Sequence, residues 1–232
     1  MSTLILSDNE FIKSNIIRIF KNNDTEFDLE TSSKVNLDDK NIIDQYNLII
    51  SAHCKKLFPS KLTKSVRCIN IHPGLNPYNR GFYPQAFSLV NKLPIGATIH
   101  EMDEEIDNGP IIVQERIKIE STDTSFSLYK KIIRKEIELL ENNFDKIIQN
   151  NYSAKPPSTS GNLNLKMHFD KLCKLDLDNV DTFENHINIL RALTFDGYDN
   201  AYYIDNDGQK VFIEISLQSL NPNVKILNRP IS

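Results

Sequence analysis

The sequence predicts an α/β protein, with a mainly parallel sheet carrying helices on its faces and a small C-terminal α+β appendage. Three observations carry this. Short apolar segments of strand character alternate with segments of helical spacing in the N-terminal part, the pattern of a parallel sheet. One long amphipathic segment spans 124–150. A Pro/Ser/Gly-rich stretch then separates it from a shorter region of mixed character.

The chain opens with an apolar strand, Thr3–Ser7. Residues 9–22 follow, with apolar side chains at 11, 12, 16, 17, 19 and 20, a helical spacing. Residues 26–32 alternate, placing Phe27 and Leu29 on one face of a second strand. Tyr46–Ser51 and Val66–His72 read as the third and fourth strands, Gly96–Met102 and Gly109–Ile119 as two more. The 124–150 helix carries apolar residues at 128, 132, 133, 137, 140, 144, 147 and 148. Asp123, Thr124 or Ser125 can cap its start. Beyond the stretch Ser153–Asn162, residues 180–193 predict a helix. Residues 200–205 and 210–216 predict a hairpin around an Asp-Gly turn. The expected units are a catalytic domain over 1–152, a linker over 153–162 and a small domain over 163–232.

Composition excludes several functions. A net charge of -4 over 232 residues gives no nucleic-acid footprint. No apolar run reaches the roughly 18 residues of a membrane span. The N-terminus lacks the basic region and cleavage site of a signal peptide, so a cytoplasmic protein is expected. Cys54, Cys68 and Cys173 share no CxxC spacing, which argues for reduced thiols over disulfides or structural zinc. No glycine-rich phosphate loop follows the first strand, so no dinucleotide or P-loop site is indicated.

Chemistry concentrates in "INIHPGLNPYNRG", Ile69 to Gly81. A strand ending there places Asn70 and His72 on one face, and a buried polar pair is costly without a partner. Asp107 lies in the turn-forming "DEEIDNGPII". It can reach His72 if the two strand ends are neighbours. A carboxylate beside an imidazole fixes its tautomer and favours its protonated form. An Asn amide can donate to a developing oxyanion. No Ser or Cys shares the motif, so the set suits acyl transfer to an amine supplied by the substrate. Taken singly, each residue has a structural use, such as a turn cap or an Asx turn. The acidic run Glu101, Asp103, Glu104, Glu105, Asp107 lacks the calcium-loop pattern and reads as a solvated loop face; no metal is expected.

These residues carry a resemblance. "NIHPGLNPYNRG" followed by "LPIGATIHEMDEEIDNGPII" resembles the N10-formyltetrahydrofolate-dependent formyltransferases, in particular the sugar N-formyltransferases that act on dTDP-linked amino sugars. "SAHCKKLFP", "NPYNRGFYPQAFSLVN", "GNLNLKMHFDKLCKLDL" and "LRALTFDGYDNAYYID" are similar to that branch, so the likeness covers about residues 45–215. It implies a Rossmann-like fold and a catalytic triad of Asn70, His72 and Asp107. A protonated His72 and the Asn70 amide would meet the oxyanion, with Asp107 holding and charging the imidazole. It implies N10-formyltetrahydrofolate as co-substrate, held near Ile99, His100, Met102, Asp103 and Ile106, largely through backbone groups. His100 either lines the site or packs beside it. Lys55, Tyr78, Asn79, Arg80, Phe195, Tyr198 and Tyr202 are the implied contacts of a dTDP-linked amino sugar, with Lys55 and Arg80 on its diphosphate. The resemblance leans towards the C4 amine of dTDP-4-amino-4,6-dideoxyglucose, an O-antigen precursor in lipopolysaccharide synthesis, and towards a homodimer formed through the C-terminal region. A hydrolase releasing formate from the folate, and a non-catalytic nucleotide-sugar or folate binding module, are the competing readings.

Overall fold

The computed structural model describes residues 2–219. In chain order the elements are β1 (Thr3–Leu6), α1 (Glu10–Asn22), β2 (Asp28–Glu30), α2 (Lys40–Gln45), β3 (Leu48–Ala52), α3 (Ser60–Ser65) and β4 (Arg67–His72). They continue with β5 (Arg80–Gly81), α4 (Pro84–Val90), β6 (Ile95–Glu101), β7 (Ile111–Ile117) and α5 (Ser125–Ile148). The last are β8 (Leu163–Asn164), α6 (Lys166–Cys173), α7 (Phe183–Leu193), β9 (Tyr202–Ile204) and β10 (Lys210–Phe212).

The main sheet has the order β2-β1-β3-β4-β6-β7. Its first four strands are parallel, while β6 runs antiparallel to both β4 and β7. Strand periodicity divides the apolar residues between two faces. Ile5, Ile50, Ile69, Ile71 and Ile99 meet Ile12, Ile16 and Phe20 of α1 and Ile133, Leu140 and Phe144 of α5. Leu4, Leu6, Ile49 and Cys68 form a second cluster with Ile42 of α2 and Leu62 of α3. Asn70 and His72 share the parity of Cys68 and leave β4 on that second face.

Local chemistry sets the helix starts. The Asn9 side chain accepts the Ile12 N–H at the head of α1. Of the three candidate caps for α5, Thr124 is the one used, in a reciprocal capping box with Ser127. Four helices, α2, α3, α4 and α6, were not expected. With six to eight residues each, they hold about two turns, too few for an apolar repeat to register.

The expected linker is ordered. Lys155 exchanges backbone hydrogen bonds with Ile111 at 2.7 and 2.9 Å. β8, just past it, pairs with β5. The C-terminal region is fastened to the rest by a third apolar cluster, which joins Phe87 of α4, Leu128 and Ile132 of α5, Phe169 of α6, and Ala192 and Leu193 of α7. The hairpin forms where predicted but with shorter strands.

Phe20 is fully buried and packs its ring against Phe27 and Phe144, with centroids 4.7 and 4.9 Å away. It ties α1 to α5 across one face of the sheet. Phe20→Ala is expected to cost about 3–5 kcal/mol, measured as a fall in the urea midpoint at unchanged slope.

Candidate active site

Asp107 does not reach His72 because two strand ends adjoin. β6 is antiparallel to β4, with Glu101 level with Ile69, so β6 ends beside the start of β4. The loop 102–110 instead doubles back along it. The Met102 N–H donates to the Cys68 carbonyl at 2.8 Å, and the Glu101 N–H donates to the Pro110 carbonyl at 2.9 Å. Gly109 makes the fold-back possible, since a Cβ there would sit 1.9 Å from the Glu101 carbonyl oxygen. Asp107 itself adopts φ +50°, a left-handed conformation that Asp tolerates better than most residues. Its carbonyl accepts the Asn76 amide at 2.9 Å, and the carbonyl of Ile106 accepts the Arg80 guanidinium at 3.1 Å.

The carboxylate of Asp107 organises the centre. Oδ1 accepts Asn70 Nδ2 at 2.9 Å and Oδ2 accepts the Gly81 N–H at 3.0 Å. His72 Nδ1 lies 3.4 Å from Oδ2, and His100 Nε2 lies 3.7 Å from Oδ1. Burial would raise the pKa of this carboxyl, but His72, His100 and the Gly81 N–H outweigh it and hold it well below the usual carboxylate range. Asp107 is therefore ionised at neutral pH.

His72 behaves oppositely. It is 3% exposed, and burial pushes its pKa down to about 4 against the pull of Asp107, with His100, His53 and Arg80 adding to the fall. The protonated imidazole expected from the sequence is thus not the resting form, because desolvation of the cation wins. In the neutral ring the hydrogen sits on Nδ1, which faces Asp107 Oδ2 at 3.4 Å, and Nε2 is left as a bare base. Nε2 has no hydrogen-bond partner among the described residues. Gly74 lies against the ring, and a Cβ there would stand 2.4 Å from Nε2.

Other predicted contacts divide. His100 belongs to the centre. Its Nδ1 donates to the Glu101 carbonyl at 2.7 Å, and its Nε2 lies 3.4 Å from Asn70 Nδ2. Ile106 lies in the loop beside Asp107, Met102 packs against the cluster around Cys68, and Asp103 is exposed, its carboxylate accepting the Glu105 N–H. Ile99 is not brought to the site. Its side chain is fully buried on the opposite face, and its backbone is registered between Ile71 and Val113.

Tyr78 is half-buried in the 73–79 loop and Lys55 is exposed after β3. Asn79 and Arg80 are structural. Asn79 is fully buried, and its Oδ1 accepts the amides of Asn91, Asn162 and Asn164. The Arg80 guanidinium is engaged with Ile106 and lies 3.8 Å from Glu105. Phe195 and Tyr198 pack together, with Phe126 and Tyr129 beside Phe195. Tyr202 is elsewhere, against Phe212 and Lys210 in the small sheet.

Sequence reasoning missed Gly74, Asn76 and Gly81, whose roles come from backbone proximity. It also missed the buried pair of Glu136 and His53, 2.7 Å apart. Glu136 did leave a sign, because it interrupts the apolar stripe of α5 between Ile132 and Leu140.

An ionised carboxylate, a neutral imidazole with a free nitrogen and an amide donor, with no hydroxyl or thiol nucleophile among them, make a centre for acyl transfer to an amine. Comparison with known proteins narrows this. Residues 11–143 match the family described as formyl transferase, and residues 168–219 match the N-formyltransferase dimerization C-terminal domain. The chain is 48% identical over 181 residues to a dTDP-4-amino-4,6-dideoxyglucose formyltransferase of Mycobacterium tuberculosis, covering 78% of this chain and 77% of that one. The structure of a sugar N-formyltransferase from Shewanella superposes with a TM-score of 0.91 at 40% identity, covering 95% and 99% of the two chains. A 4-N formyltransferase from Francisella tularensis gives 0.88 at 39% identity, covering 94% and 98%. The chain belongs to the formyltransferase family, and it is a formyltransferase.

Two outcomes test the centre. Gly74→Ala should displace the His72 ring and lower kcat by roughly 10²-fold, the scale of a 1 Å misplacement, while the melting temperature falls little. In an NMR titration the His72 imidazole should stay neutral until the pH falls to about 4. In Asp107→Asn it should titrate lower still, since the attraction that favours the cation is gone.

Proposed function

We propose that the protein transfers the formyl group of N10-formyltetrahydrofolate to the amine of a dTDP-linked amino-dideoxy sugar, with dTDP-4-amino-4,6-dideoxyglucose as the first candidate. The observation that carries the reading is the unpartnered His72 Nε2, buried beside an ionised Asp107 and the Asn70 amide. The 48% identity to an enzyme named for that sugar supports the substrate.

In this mechanism the neutral amine attacks the formyl carbon, and the carbonyl electron pair moves to oxygen. One Nδ2 hydrogen of Asn70 stays on Asp107, and the other, beside His100 Nε2 at 3.4 Å in the resting site, turns to that oxyanion. The amine proton passes to His72 Nε2, and Asp107 stabilises the imidazolium that forms. His72 then protonates N10 of the folate as the C–N10 bond breaks, which restores its neutral form. No net proton is gained or lost, and the products are a formamido sugar and tetrahydrofolate. The loop 102–110 is the proposed pterin contact, and Phe195 with Tyr198 the proposed platform for the base. The likeness of residues 168–219 to a dimerization domain supports a homodimer, for which we propose contacts within 163–232. The reaction belongs in the cytoplasm by this reading, and a bacterial O-antigen sugar is its proposed end use. Among the described residues no helix is long and apolar enough to cross a membrane.

Incubation with the formyl folate and the dTDP-amino sugar should add one carbonyl to the sugar by mass. Folate turnover at the same rate without sugar would instead make the protein a hydrolase, and preference for a GDP-linked amine would overturn the nucleotide assignment. Asn70→Ala should lower kcat by about 10²–10³ with little change in KM. The His72→Asn/Asp107→Asn double variant should be hardly slower than the worse single one, because the two act as a unit.

A further inference from the structure

The mechanism leaves unused a second buried carboxylate–imidazole pair. Glu136, in the middle of α5, is 1% exposed, and its Oε2 lies 2.7 Å from His53 Nε2. His53 follows β3 directly, at φ +60°. Ala52 is registered with Ile71, so His53 and His72 occupy the next positions along adjacent strands. His53 Nδ1 faces the hydroxyl oxygen of Tyr129 at 3.4 Å, and Asn9 Nδ2 donates to the same oxygen at 2.7 Å. The orientation of the Asn9 amide is fixed, because its Oδ1 accepts the Ile12 N–H at 3.1 Å.

Counting hydrogens determines what Tyr129 presents. If the proton shared by His53 and Glu136 sits on the imidazole, both ring nitrogens carry hydrogens. If it sits on Glu136, that carboxyl donates to Nε2 and the ring's own hydrogen is on Nδ1. Either way Nδ1 donates to Tyr129. A bare Nδ1 would require an ionised Glu136 beside a neutral ring, and Glu136 lacks the further donors that Asp107 has, its Oε1 being buried without a partner among the described residues. The pair resists that state: burial raises the pKa of Glu136, and Glu136 outweighs burial to raise that of His53. The phenol oxygen thus accepts from His53 and Asn9, and both of its lone pairs are taken. Its own hydrogen must point away from them, and among the described residues it has no acceptor. Burial, with Glu136 nearby, pushes the phenol up to about 12, so that hydrogen stays.

We propose that Tyr129 is a hydrogen-bond donor to a phosphoryl oxygen of the nucleotide sugar, held in that role by His53, Glu136 and Asn9. The proposal rests on the nucleotide-sugar reading above. A chain of neighbouring rings supports it. Tyr198 and Phe195 come first, then Tyr129 with its ring centroid 5.5 Å from that of Phe195, then His53 at 5.9 Å, then His72 one strand over. A nucleotide sugar with its base on the aromatic pair and its amine at His72 passes its diphosphate between them. Lys130 adds a cation there, its Nζ 4.1 Å from the Phe126 centroid. The nearby carboxylate of Asp8 is occupied by Ser32 and the Lys55 N–H.

Tyr129→Phe keeps the ring in its apolar seat and removes only the hydroxyl. Calorimetric titration of the full chain with dTDP and with thymidine separates the contacts. The variant should bind dTDP roughly tenfold more weakly, the scale of one hydrogen bond to a charged group, and thymidine as the wild type does. The KM for the nucleotide sugar should rise by a similar factor while that for the folate stays. Unchanged dTDP affinity, or an equal loss with thymidine, would overturn the proposal alone. Wild-type protein that binds no dTDP would remove the nucleotide-sugar reading and this proposal with it.

Discussion

The structure around the site depends on one buried charge. Asp107 is an ionised carboxylate with its side chain only 14% exposed, and such a group is tolerated only when donors surround it. Asn70 and the Gly81 N–H supply direct hydrogen bonds, and His72 stands close by. Each donor in turn has to be held. Asn70 and His72 come from a strand buried in the sheet. Gly81 is part of β5, whose pairing with β8 fixes the end of the loop that follows β4. The buried Asn79, meeting Asn91, Asn162 and Asn164, clamps the same loop.

The C-terminal region is therefore coupled to the chemistry without contributing a catalytic group. β8 precedes α6 directly, and Phe169 of α6 stacks on Tyr83 with centroids 4.0 Å apart. A displacement of α6 would act on Gly81 through the β5–β8 pair, and so on Asp107. Association of two chains through this region would brace the carboxylate as well as cover apolar surface. Met167, Val180 and Phe183 are exposed in the single chain.

The two histidines that end adjacent strands show how burial assigns roles. His72 has a carboxylate at 3.4 Å, and burial outweighs it and leaves a neutral base. His53 has a carboxylate at 2.7 Å, and the pKa shift reverses sign. Differing surroundings thus give one ring a free nitrogen and commit the other to its partners.

The sequence alone determined the strand–helix alternation, the long helix α5 and its cap region, and the three polar residues of the centre. These are local signals: period-two and period-3.6 repeats, turn residues, and a motif compact enough to carry a family likeness. Tertiary structure decided the rest. The antiparallel insertion of β6 set how Asp107 approaches, because strand direction depends on pairing and leaves no mark in periodicity. Asn79 and Arg80 looked like ligand contacts, yet they are buried, since the pairing of β5 with β8 brings residues more than 80 positions apart onto them. The protonation of His72 went against the sequence expectation for the same kind of reason. A neighbouring carboxylate can be inferred from a motif, but the desolvation that outweighs it is a property of everything packed around the ring.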